Sequence, residues 1–136
     1  MVFHFTHMTP ATGGSKAFLY AAGAFNFGAA LILLLLARLA PQLLGIDAPS
    51  PSQLMYVDLS AWLVVGFGIG YVLGGVDLPR FWPFIALGAV GKAGVAILAL
   101  VYFAAGNTGP LVLLLAAGDA VFAVLFVRLL RRHAAD

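Results

Sequence analysis

FWPFIALGAVGKAGVAILALVYFA, residues 81–104, carries a single charged side chain, Lys92, close to its middle. A helix needs about 20 mostly apolar residues to cross roughly 30 Å of hydrocarbon, and this stretch is long enough. On either side of it, three more segments pass the same test, at about 17–39, 55–76 and 110–130. The breaks between them have turn chemistry: Pro41, Gly45, Asp47, Pro49 and Pro51 in the first; Gly74, Gly75, Asp77 and Pro79 in the second; Gly106, Asn107, Gly109 and Pro110 in the third. Ser52 suits the N-cap of the second helix and Asn107 or Thr108 that of the fourth, with Pro110 in its first turn. A brief interfacial turn is expected over Gln42 to Ile46. The expected fold is all-α, an integral membrane antiparallel four-helix bundle.

Composition agrees. Of 136 residues, 63% are hydrophobic and 9% charged, with a mean hydropathy of +1.07. Soluble domains carry about 25% charged residues, so a soluble enzyme and a nucleic-acid-binding module are both excluded. Seven Lys/Arg against five Asp and no Glu leave a net charge of only +2. The absence of Cys excludes disulfides, thiol redox relays, iron–sulfur clusters and thiolate zinc. Met1 to Gly14 has neither Lys nor Arg and no sustained apolar run, so the first span reads as a retained signal-anchor. The chain divides into an interfacial N-terminal segment (1–16), a four-helix transmembrane domain (17–132) and a cytoplasmic tail (133–136).

Lys/Arg bias sets orientation. With both termini inside, Lys16, Arg80, Arg128, Arg131 and Arg132 face the cytoplasm against Arg38 alone outside. Tyr20, Tyr71 and Trp82 fall near one interface, and Tyr56 and Tyr102 near the other, as aromatic belts do. The expected location is the inner (cytoplasmic) membrane, multi-pass, N-in/C-in. Gly66, Gly70 and Gly74, with Gly88 and Gly91, and Ala24 and Gly28, form small-residue faces suited to helix packing. Most such packing is intramolecular, and the remainder would serve a membrane protein partner or a homo-oligomer.

Function is concentrated in a few polar side chains. Lys92 and Asp119 both fall near the bilayer centre at 1.5 Å per residue, and Asn26 lies at a similar depth. A charge there costs at least ~2.5–3.5 kcal/mol, so Lys92 and Asp119 are expected to pair inside the bundle, as an ion pair or as a protonated Asp119 with a deprotonated Lys92, with Asn26 or a backbone carbonyl completing the hydrogen bonding. Gly88, Gly91 and Gly118 leave space for that contact. Phe122 and Phe126 share the Asp119 face of the fourth span. Trp62, Phe67, Phe25 and Phe27 are further candidate walls of an apolar cavity with a polar floor, which suits quinones, sterols or acyl chains. The candidate ligand-binding residues are Asn26, Lys92, Asp119 and Phe122. In an enzyme, Asp119 would be the acid/base and Lys92 its electrostatic partner; a buried pair that only fixes helix order is the alternative. His4 and His7 make too small a set for a metal and read, with Phe3 and Phe5, as interfacial. No cofactor or metal is expected. Arg128, Arg131, Arg132 and His133 read as topology signal and anionic-lipid contact.

PQLLGID (41–47), GFGIGYVLGG (66–75), DLPRFWPF (77–84), GAVGK (88–92) and GDAVFAVLF (118–126) occur in order. Over residues 17–132 this layout resembles the small bacterial four-helix membrane proteins of the DoxX-like kind. The resemblance implies the bundle and a lipophilic partner, some members being associated with quinone-linked sulfur oxidation complexes; it transfers no active-site residue. Among functions, a non-catalytic subunit or scaffold of a membrane complex is favoured. A binding protein or enzyme for a lipophilic molecule comes second, and a small proton-linked transporter third.

Overall fold

The computed structural model describes residues 8–134. Within them lie four long helices, α1 (Gly13–Leu39), α2 (Pro51–Val76), α3 (Leu78–Ala104) and α4 (Pro110–His133), with a 3₁₀ turn at Pro41–Leu44. All four are long and apolar enough to cross a membrane. Val, Leu, Ile and Phe cover their outer faces: Trp62, Val90 and Leu114 are each about 70% exposed. Such a surface is stable only against lipid. The expected interfacial segment around Phe3, His4, Phe5 and His7 lies outside the described residues.

Every helix extends beyond the apolar stretch that marked it, and capping chemistry explains the earlier starts of α1, α2 and α3. Thr12 accepts a hydrogen bond from the Ser15 amide at 3.3 Å, so α1 begins four residues before 17. For α2 the cap is Ser50, not Ser52. Ser50 Oγ accepts from the Gln53 amide while the Ser50 amide donates to Gln53 Oε1, a full capping box with Pro51 in the first turn. Gly74 and Gly75 are helical, and the expected second break shrinks to Asp77, which ends α2 and caps α3 through the Arg80 amide. Pro79 is tolerated because it lies in the first turn, where its missing N–H costs nothing. Neither Asn107 nor Thr108 caps α4; Gly109 holds that position without a side-chain bond. Its last turn includes Arg131, Arg132 and His133, so residue 133 is helix and not tail.

Two hairpins result. α1 packs most extensively on α2 and α3 on α4, whereas α1 and α4 touch least of the helix pairs that meet. At the far end, Thr108 Oγ1 donates to the Leu44 carbonyl at 3.4 Å, bridging the 3₁₀ turn to the start of α4. Gly45 there has φ 79°, and a Cβ would sit 2.8 Å from the Gly109 nitrogen, so both conformation and space require glycine. At the end bearing the termini, His133 is buried and closes a clasp. Its Nδ1 is hydrogen-bonded to Thr9 Oγ1 at 3.1 Å and its Nε2 to Ser15 Oγ at 2.8 Å, while the Thr9 amide donates to the His133 carbonyl at 2.9 Å. Leu19, Leu78, Ile85, Tyr71 and Phe126 form the fully buried core nearby.

Candidate functional site

Asn26 is 13 residues from the start of α1, Lys92 is 14 from the start of α3, and Asp119 is 14 from the end of α4. At about 1.5 Å per residue, all three lie roughly 20 Å from the same end of the bundle. Helix phase then turns them inward. Lys92 Nζ donates to Asn26 Oδ1 at 2.8 Å and to Asp119 Oδ1, and Asn26 Nδ2 donates to the Val64 carbonyl of α2 at 3.0 Å. One chain of three hydrogen bonds therefore joins all four helices, crossing between hairpins at Asn26–Lys92. No buried side-chain nitrogen or oxygen among the described residues lacks a partner, as stability in a medium without water requires.

Aromatic rings surround the ammonium. Lys92 Nζ lies 5.0 Å from the Phe25 ring centre, 5.4 Å from Phe122 and 5.6 Å from Tyr71, all within cation–π range. Glycines admit two of these rings: a Cβ at Gly88 would meet Tyr71 at 2.6 Å, and one at Gly118 would meet Phe25 at 2.7 Å. The small residues beside the charged pair thus make room for its walls as well as for the pair. Phe122 tilts against Phe25 at 5.0 Å and stacks on Phe18 at 5.7 Å, placing it in the cage behind the polar group.

On the side of the pair away from the termini is a cavity of about 370 Å³. Leu33, Leu63, Val95 and Val112 give it apolar walls, and Asn26, Lys92 and Asp119 make its polar floor. Phe25, Phe67 and Tyr71 also line it, whereas Phe122 does not. Trp62, expected as a wall, is 75% exposed on the outer surface of α2, and Phe27 is also partly exposed. Tyr71 corrects the aromatic-belt reading. It is buried inside the bundle at 1% exposure, because its position on α2 points inward and Gly88 leaves room for the ring. Its signal in the sequence was that neighbouring glycine context, GFGIGYVLGG, which marks a face in close contact and not a lipid face.

Near the start of α2, both carboxylate oxygens of Asp58 accept from Arg38 Nη2 at 2.9 Å. Both side chains are nearly half exposed, and neither lines the cavity. Fold and site together define a small multi-pass membrane protein with an internal, charge-balanced polar centre. No protein-family model, curated protein or solved structure matches the chain.

Proposed function

We propose that the protein is an intramembrane binding protein for a lipophilic small molecule, held in the cavity between the two hairpins with its polar end at Asn26, Lys92 and Asp119. The observation that carries this reading is the coincidence of an apolar cavity with a polar floor at mid-membrane depth. Small-molecule pockets run from about 300 to 1,000 Å³ and are mostly apolar with a few polar groups; a volume near 370 Å³ suits one compact molecule and not a two-chain phospholipid. The DoxX-like resemblance favours the same class of partner, a quinone among them, and the Lys/Arg bias favours an inner-membrane, N-in/C-in placement.

A noncatalytic subunit is the second reading. Gly70, Gly74 and Gly88, which would serve a partner interface, face Phe84, Ile85 and Tyr71 of the same chain, which weakens it. What favours it is Gly28, Gly66 and Gly94, where a Cβ would meet nothing within 4 Å.

Purification in mild detergent followed by mass spectrometry of extracted lipophiles tests the proposal. The wild type is expected to retain a near-stoichiometric small lipophile, and Gly91→Leu to retain several-fold less at unchanged helicity. Gly91 lines the cavity, and a Cβ there has open space within 4 Å. A wild type that carries no lipophile, or a Gly91→Leu variant that carries as much, overturns the binding reading. A stoichiometric protein partner in its place supports the subunit.

A further inference from the structure

The polar floor is not symmetric in what it offers a ligand. A lysine ammonium has three N–H donors, and a carboxylate accepts at both oxygens. Lys92 uses two of its three donors on Asn26 Oδ1 and Asp119 Oδ1, and its ammonium is otherwise enclosed by the rings of Phe25, Tyr71 and Phe122. Asp119 enters the network through Oδ1, and it is the more open partner: 19% of its side chain is accessible against 6% for Lys92. The cavity floor therefore presents a carboxylate acceptor whose charge an ammonium behind it already balances.

That arrangement discriminates among head groups. A lipophilic amine would bring a second positive charge close to Lys92, and a fatty acid a second negative charge against Asp119. Like charges at such distances in a low dielectric are strongly unfavourable. A head with only a carbonyl or an ether oxygen finds donors only in the third Lys92 N–H, behind the rings, and in the Tyr71 hydroxyl, and it leaves the Asp119 carboxylate unmatched. A neutral hydroxyl donates to Asp119 and adds no charge. We propose that the cavity selects a compact lipid bearing a neutral hydroxyl, either an isoprenoid or sterol-like alcohol or the phenolic hydroxyl of a quinol, with Asp119 as the acceptor. This rests on the binding reading above and names its ligand class.

Equilibrium binding to the purified full-length protein in detergent tests it, using tritiated farnesol, farnesyl methyl ether, farnesal and farnesylamine, with decylubiquinol and decylubiquinone as a second pair. At least one hydroxyl probe is expected to bind about tenfold or more tightly than its matched ether or quinone, the scale of one charge-assisted hydrogen bond. Preference for farnesol over its ether supports a lipid alcohol; preference for decylubiquinol over decylubiquinone supports a quinol. Equal binding within both pairs overturns the hydroxyl proposal and leaves the binding reading standing. If no probe binds, the hydroxyl proposal falls, and the fate of the native lipophile in Gly91→Leu decides on the cavity separately. Because Asp119 variants with an unpaired lysine risk misfolding, the second variant is the double replacement Lys92→Leu/Asp119→Leu, which keeps apolar volume. It is expected to bind alcohol and ether within about twofold of each other. A folded double variant that still prefers the alcohol overturns the role of Asp119.

Discussion

Lys92 and Asp119 cannot be changed independently, because removing either leaves the other charged, buried and far from water. Lys92→Leu and Asp119→Leu alone are each expected to destabilise the bundle by about 3–5 kcal/mol, whereas the double replacement recovers most of that loss. Denaturant titration in detergent, run as a double-mutant cycle, measures the coupling. A double variant no more stable than the worse single one would show that the ion pair is not what the singles disrupt. The glycines supply a matched comparison at the same scale. Gly88→Ala drives a methyl into the Tyr71 ring at 2.6 Å and is expected to cost about 1–3 kcal/mol. Gly91→Ala, with nothing within 4 Å, should stay within about 0.5 kcal/mol of wild type. Equal effects at the two positions would rule out ring packing as the reason for glycine at 88.

At the scale of elements, the starts of α1, α2 and α3 are set by single polar side chains outside the apolar runs. Ser50 holds both halves of the α2 capping box, so Ser50→Ala is expected to cost about 1 kcal/mol. Ser52 bonds only to the Ser50 hydroxyl, and Ser52→Ala should cost less. Unfolding midpoints of the two variants compare them directly; a larger loss at Ser52 would restore it as the cap. Hydropathy alone placed the α2 start at 55, because it registers where residues become greasy and not where amides find acceptors. The serine–Pro–Ser–Gln sequence at 50–53 contained the box, but the choice between two serines needed the backbone. By contrast, Arg38→Ala should shift stability by no more than about 1 kcal/mol, since its pair with Asp58 is nearly half exposed and such pairs are weak.

Across the whole molecule, the two ends of the bundle differ in kind. One end carries Lys16, Arg80, Arg128, Arg131 and Arg132 and is drawn together by His133, which binds Thr9 and Ser15. His133→Ala removes both side-chain bonds, and the Thr9 amide, which donates to the His133 carbonyl, is expected to exchange hydrogen faster in the variant. Unchanged exchange would mean that the backbone bridge suffices without the imidazole. Reporter fusions at both termini test the orientation that the charge bias implies, with cytoplasmic signals expected at each. Signals from the opposite side of the membrane at both termini would reverse it.

Helix number, helix class and the depth of Lys92, Asp119 and Asn26 were all legible along the chain. Apolar length is a local property, and depth follows from counting at a fixed rise per residue. Their pairing followed too, because two opposite charges at one depth in hydrocarbon have no cheaper partner than each other. Azimuth was not legible. Whether an aromatic side chain faces lipid or the interior depends on how helices rotate against one another, and in membranes both environments are equally apolar. That is why Tyr71 turned inward and Trp62 outward against expectation. The cavity belongs to the same class of property: it is the space left where two hairpins meet imperfectly, and only the tertiary structure decides where that space lies and which atoms of a balanced charge pair it exposes.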